Sequence, residues 1–237
     1  MLPMVADGSD SAGVVPADLS ELGSPKSTEE GRMPEITDEA ALRAVVSEPP
    51  RVIAEKAIDH VDEQSRRFLE ASPFFLLATT GADGGVDVSP RGDPAGQVLV
   101  LDEGRAVAFA DRPGNHRLDS FRNILAHPQV GLLFLVPGRD HTLRINGRAR
   151  ILQHPPFAAD LTVTGRTPEL AVVVEIDELF LHCAKAFLRS ALWDPATWPS
   201  GKDVPSAGTI AKSQSGTHVP AAAIDAALAL DGRTNRY

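Results

Sequence analysis

The sequence predicts a mainly β protein, an antiparallel barrel, closed or nearly closed, with helices at its periphery. Three observations predict it. From Phe74 onward, strand-length apolar runs recur every ~8–12 residues between turns rich in glycine and proline. Residues 142–152 alternate, with Leu143, Ile145, Ala149 and Ile151 on one face and Arg144, Asn146, Arg148 and Arg150 on the other, the period of a half-buried strand. Gly147 breaks that alternation and predicts a bulge. Finally, a single helical pattern, around residues 115–126, crosses between two of the strands.

The elements follow in order. Residues 1–33 are rich in Asp, Gly, Ser, Pro and Glu and lack periodic apolar residues, so they cannot offset an ordering cost of roughly 1–2 kcal/mol per residue and are expected to form a flexible tail. Residues 34–72 read as helices. The first is capped by Thr37, shows an Ala41, Leu42, Val45 and Val46 face and stops at Pro49-Pro50. The second runs from about Asp59 to Ala71 and stops at Ser72-Pro73. The barrel domain spans 73–198. Its strands are read at 74–80, 86–89, 97–101, 105–110, 130–136, 142–152 and 170–176, and Gly81–Gly85 reads as a hairpin loop. Residues 179–190 read as helix or strand-to-helix, 199–217 as a long surface loop, and 220–230 as a short helix opened by proline, so that 199–237 is a loop and helix packed on the barrel.

Composition narrows the function classes. A chain of 237 residues allows one large domain, or one with appendages. A net charge of -9 argues against a broad nucleic-acid surface, though not against a local basic pocket for one small anion. No apolar run approaches the ~20 residues of a membrane span, and no secretory signal is visible. The only cysteine, Cys183, excludes an internal disulfide or a CxxC zinc site. Flanked by apolar residues, it reads as inert packing. A cytoplasmic protein is expected, without metal, membrane or nucleic-acid partner.

Against this acidic background one stretch stands out. Ala108–Leu125, AFADRPGNHRLDSFRNIL, ends an apolar strand, breaks at Asp111-Arg112-Pro113-Gly114, and restarts as an amphipathic helix carrying Asn115, His116 and Arg117. Helix N-termini expose unpaired N–H groups and partial positive charge, so a basic turn there suits a phosphate. Arg112, Arg117 and Arg122 are the guanidinium candidates; the alternative is surface arginines in screened ion pairs. A second candidate is Ser89-Pro90-Arg91-Gly92-Asp93, a polar run inside an apolar sheet. Proline donates nothing to a ladder, so this strand must bulge or lie at an edge, either freeing groups for a heteroaromatic ligand or pairing Arg91 with Asp93.

Taken together, "FFLLATTGADGGVDVSPRGD", "VAFADRPGNHRLDSFRNILAHPQVGLLFLVPG" and "TLRINGRARIL" resemble the pyridoxamine 5′-phosphate oxidase-like FMN-binding split-barrel superfamily. The "HCAKAFLRSALW" segment and the closing "RTNRY" resemble a branch of probable FMN-dependent enzymes of unassigned substrate. The resemblance implies a six-stranded antiparallel Greek-key split barrel, a homodimer, and FMN at the dimer interface. It implies that Asp111, Arg112, Asn115, His116 and Arg117 form the phosphate corner. Val88, Ser89, Pro90 and Arg91 would line the isoalloxazine ring and ribityl chain, and the segment with Lys185, Arg189 and Trp193 would reach toward the cofactor. Those last three sit at i, i+4 and i+8, one face of a helix, where a cation would stabilise a reduced flavin and Trp193 would cover it. The Arg-x-Val-Leu-Leu-Lys run of true pyridoxamine phosphate oxidases is replaced here by Ser89–Asp93, which argues against vitamin B6 oxidation.

The scattered histidines provide no general base, and the catalytic residues stay open. The expected function is an FMN-dependent oxidoreductase, with NAD(P)H as a candidate electron donor and a small molecule as substrate. The alternatives are the deazaflavin F420 as cofactor, or a non-catalytic carrier or sensor of flavin or haem.

Overall fold

The computed structural model describes residues 35–237, which fall into two units dividing after Ile53. The expected tail, residues 1–33, lies outside the described residues. In the first unit, α1 (Glu39–Val45) is capped by Asp38 and not by the expected Thr37. The Asp38 carboxylate accepts from Ala41 N at 2.8 Å, adding charge to the helix dipole as well as a hydrogen bond. A one-turn helix, α2 (Arg51–Ala54), follows Pro49-Pro50.

The second unit begins with α3 (Glu63–Ala71). It starts later than the expected Asp59, because Asp62 supplies the cap, its carboxylate accepting from Ser65 N at 2.7 Å. Asp59 instead binds Arg105 at 2.7 Å. Beyond the helix, buried Ser72 sets its hydroxyl within 2.9 Å of Phe74 O and 2.7 Å of Leu135 O, tying the helix end to the sheet.

That sheet has seven strands: β1 (Phe74–Thr80), β2 (Val86–Gly92), β3 (Leu99–Leu101), β4 (Ala106–Ala110), β5 (Gln129–Leu135), β6 (Thr142–Gln153) and β7 (Leu170–His182). Their order is β2-β1-β5-β6-β7-β4-β3, and every pair is antiparallel. The six strands implied by family resemblance are therefore corrected to seven. The residue pattern already marked a strand at 97–101, and its last three residues pair with β4, from Leu99 opposite Ala108 to Leu101 opposite Ala106. β7 also runs on to His182, past the expected end at Ile176.

β1 and β4 lie four places apart in this order, yet the rings of Phe75 and Phe109 meet edge-on at 4.9 Å. The sheet therefore curls so that its two ends face each other across one core. Phe134, Leu77, Leu132, Ile145, Val107, Val172 and Val174 fill that core, each essentially inaccessible to solvent. β2 and β3 are the free edges, so the curled sheet is split along one side. Pro90, opposite Leu76 on β1, sits on such an edge, the second of the two options its sequence allowed. The expected bulge is present as well. The register of β6 on β7 slips between Asn146 and Gly147, where a Cβ would collide with the Glu175 carbonyl.

α4 (Asp119–Ala126) crosses between β4 and β5, with Phe121 and Ile124 buried in the core. It begins at Asp119, not at Asn115, because His116 (φ 59°) and Leu118 (φ 58°) are left-handed and interrupt helical geometry. After β7, α5 (Lys185–Ser190) ends at left-handed Ala191. The stretch 199–217, read as loop, holds α6 (Ala207–Ser215), started by Ser206 and stopped by Gly216. α7 (Ala221–Thr234) extends past the expected Leu230. α6 meets α7 at Gly208, where the Asp225 carboxylate accepts from Gly208 N and Ser206 Oγ, both at 2.7 Å. This contact fixes a helix whose own sequence carries little apolar periodicity, which is why the pattern alone read as loop.

Candidate functional site

The split between the sheet edges opens into a cleft of about 270 Å³. Its walls are Pro73 and Phe75 at the start of β1, the end of β2 and the residue after it (Pro90–Asp93), Gln97 and Val98 ahead of β3, Phe109 and Ala110 on β4, and the basic break Arg112–Gly114. Arg236, beyond α7, closes it. Two of the regions singled out in the sequence, Ser89–Asp93 and Asp111–Gly114, thus meet across one opening, although about twenty residues separate them along the chain.

Arg112 bridges the split. Its Nε lies 2.9 and 3.0 Å from the two oxygens of Asp93, and one terminal nitrogen donates to Leu161 O at 2.8 Å. Both partners are largely buried, at 14% and 16% side-chain exposure. Burial outweighs the neighbouring guanidinium and pushes the Asp93 carboxyl above the usual aspartate range. Asp93 therefore pairs with Arg112, not with Arg91 as one sequence reading allowed.

Arg91 is left alone. It lies on the inner face of β2, its guanidinium 5.9 Å from the centre of the Phe121 ring, and its buried Nε has no hydrogen-bond partner among the described residues. Burial lowers its proton affinity, while Asp111 and Asp87 oppose that only through the field. Asp111 is half-buried, and its own carboxyl is held above the usual range by burial despite Arg91 and Arg112.

On the strand, side chains alternate. Ser89 and Arg91 point inward, with Ser89 Oγ 3.0 Å from Ser120 Oγ on α4, which also donates to Asp87 at 3.2 Å. Val88 and Pro90 point outward and are exposed. A single ligand on one face of β2 therefore meets the side chains of only two of these four residues, together with the strand backbone.

The corner loop presents Asn115, His116 and Arg117 as exposed residues ahead of α4. Asn115 Oδ1 accepts from Arg117 N at 3.0 Å, and Arg117 Nε donates to Asp119 at 2.7 Å in a pair open to solvent. Arg122 is exposed on the helix.

The C-terminal candidates lie outside the cleft lining. Lys185 and Arg189 are exposed on α5, but Trp193 falls beyond the helix end and so does not continue their face. It donates Nε1 to Arg139 O at 2.9 Å and stacks on Phe187 at 5.9 Å. Cys183 is exposed, contrary to the packing role read from its apolar neighbours. Beside it, Lys56 and Arg144 lie 4.7 and 4.2 Å from the centre of the Phe180 ring, and burial with these two cations lowers the proton affinity of His182.

Sequence reasoning left Gln97 and Arg236 out of the site. The basic "RTNRY" segment was a visible signal, but only the path of α7 brings Arg236 to the cleft and the Tyr237 ring to 5.9 Å from the Arg112 guanidinium.

A curled antiparallel sheet, split along one side and carrying a basic corner between strand and helix, defines a class of small split β-barrel proteins. Within that class the sequence match is definite. The family model for pyridoxamine 5′-phosphate oxidase matches residues 61–183, just over half of the chain, and the chain belongs to that family. No curated protein matches it. Among solved structures, HupZ of Group A Streptococcus is similar at 14% identity, covering 51% of this chain and 93% of that one, with a TM-score of 0.41. An F420 reductase is similar at 21% identity over 51% and 98%, with a TM-score of 0.39. HutZ, a haem storage protein of Vibrio cholerae, is similar at 14% identity over 52% and 94%, with a TM-score of 0.35. Among the described residues no helix is long and apolar enough to cross a membrane, and no cluster of His, Cys, Asp or Glu is arranged to hold a metal ion.

Proposed function

We propose that this chain is an FMN-dependent oxidoreductase that works as a homodimer on a small-molecule substrate, with NAD(P)H as electron donor. The observation that carries the reading is the corner itself. Left-handed His116 and Leu118 delay the helix start, which leaves Asn115, His116 and Arg117 exposed beside a cleft holding an unpartnered guanidinium. These residues fit a phosphorylated cofactor. Arg117 and His116 supply donors for the phosphate, and the backbone of β2 around Ser89–Arg91 supplies polar groups along an edge strand. Asp111 backs the same corner. Lys185, Arg189 and Trp193, outside the cleft of their own chain, are assigned to the ring end of the partner's site.

Bound FMN would supply the hydride chemistry; the chain's own part is to hold and orient it. The corner clamps the tail by charge. Asp87, Ser89 and Ser120 lock β2 to α4 so that the strand facing the cofactor keeps its position. The dimer is supported by the outer face of edge strand β2, where Val86 and Val88 are 75% and 56% exposed.

Absorption and mass spectra of the molecule that copurifies test the reading. A flavin band that bleaches on addition of NADH or NADPH, faster than free FMN does, is the expected result. A deazaflavin mass would move the cofactor to F420. A haem spectrum, or no affinity for any flavin, would overturn it.

A further inference from the structure

The cleft contains more positive charge than the split in the sheet needs. Three guanidiniums line it, those of Arg91, Arg112 and Arg236, against the single carboxylate of Asp93. Arg112 and Asp93 satisfy each other. That leaves Arg91 and Arg236 with no carboxylate in the lining. Arg91 forms no ion pair, and its Nε is buried without a partner among the described residues. Arg236 is exposed, and among the described residues its hydrogen bonding is confined to a long contact, from Nε to the carbonyl of Gly232 at 3.3 Å. A half-buried guanidinium without a partner is costly, because desolvation is not repaid by charge or hydrogen bonds. Asp111 and Asp87 do not remove that cost, since they reach Arg91 only through the field.

Size narrows the ligand. Pockets for whole drug-sized or cofactor-sized molecules run to ~300–1,000 Å³. At about 270 Å³ within the single chain, this cleft has room for a small oxyanion or the acidic end of a small molecule. Phe75, Phe109 and Val98 form its apolar wall, and the two unpaired guanidiniums lie on separate elements, the edge strand β2 and the segment beyond α7. An anion between them would receive donors from both.

We infer that this cleft is an anion subsite in which Arg91 and Arg236 grip the carboxylate or phosphate group of the substrate, separate from the Asn115–Arg117 corner that holds the cofactor's phosphate. The assignment of the anion to a substrate rests on the flavin reading above. The binding of an anion by Arg91 and Arg236 is tested apart from it. Arg236 is then a specificity-determining residue, contributed by the segment beyond α7, which the barrel fold itself does not require.

The test is isothermal titration of the full-length protein with inorganic phosphate and, separately, with malonate, before and after saturation with FMN and at constant ionic strength. Phosphate or malonate binds the flavin-free and the FMN-saturated protein within about twofold of the same affinity, as independent sites require. Arg91→Met abolishes the binding and Arg236→Gln weakens it by about tenfold or more, the size of a lost charge-assisted contact. Without any anion, the thermal midpoint of Arg91→Met equals or exceeds that of the parent, because an unpaired charge has been removed. Displacement of phosphate by FMN would make the cleft the cofactor's own phosphate seat and overturn the inference. Undiminished anion binding in both variants, or no anion binding by the parent, would overturn it as well. Anion binding that depends on Arg91 in a protein with no flavin affinity would overturn the cofactor reading and leave the subsite standing. The preference between phosphate and malonate tells which acidic group the substrate carries.

Discussion

Replacing Asp93 by Asn keeps the shape of the Arg112 pair and removes its charge. Arg112 then sits at 14% exposure with no carboxylate, retaining only Leu161 O as a good acceptor, since its contact with Gln97 is long at 3.4 Å. Breaking a fully buried pair costs ~3–5 kcal/mol. Water still reaches the rim of this one and burial already opposes the Asp93 charge, so a loss of about 1–2 kcal/mol is expected, or about 2–8 °C in thermal midpoint for a chain of this size. Arg112→Met should cost a similar amount at neutral pH. The double variant Asp93→Leu/Arg112→Met should recover at least half of either single loss, because neither charge is then left unpaired. Acid adds a second signature. Burial already holds Asp93 above its ordinary 3.8, so its contribution is complete below that value and declines as the pH rises through the folded one. Removing Arg112 removes a group that lowers the Asp93 value, so the folded value climbs and the decline extends further up the scale. The deficit of Arg112→Met is therefore larger at pH 8 than at pH 4. Urea denaturation followed by circular dichroism at both pH values measures all four proteins. Single losses below about 0.5 kcal/mol, or strictly additive effects, would refute the claim that this pair closes the split side of the sheet.

The other predictions concern the corner, the core and one histidine. Arg117→Ala should weaken FMN binding about 10–100-fold with little change in stability, because its pair with Asp119 is open to solvent; quenching of flavin fluorescence reads the affinity, and a change under twofold would remove Arg117 from the phosphate site. Gly147→Ala should lose about 1–3 kcal/mol in chemical denaturation, since its methyl group would strike the Glu175 carbonyl on the neighbouring strand. Phe134→Ala, at a site with no solvent exposure, should cost about 3–5 kcal/mol by the same measurement. His182 should titrate below its ordinary 6.5 in an NMR pH series, and Arg144→Gln should move its midpoint upward, because Arg144 is one of the two cations that oppose its protonation.

Much of the fold was legible because it rests on local patterns. The alternation around Gly147 located both a strand and its bulge, and Pro90 limited its strand to a bulge or an edge because its missing N–H admits few other positions. Helix starts were less legible. Both Thr37 and Asp38 are good caps, and Asn115–Arg117 resembles a first helical turn until left-handed His116 and Leu118 delay it by four residues. The α6 segment was missed because a tertiary contact from Asp225 stabilises it, and composition does not show that contact.

By itself, then, the sequence determined a mainly antiparallel sheet, its order of elements, the family, and the concentration of arginines at one corner of an acidic chain. These depend on periodicity, turn chemistry and composition, which act between near neighbours. Only the tertiary structure decided how the arginines divide. Arg112 closes the split by pairing with Asp93, Arg91 stays unpaired beneath Phe121, and Arg236 reaches the same cleft from the far end of the chain. A guanidinium's role depends on which carboxylate lies within about 4 Å of it, and that distance is set by chain segments far apart in sequence.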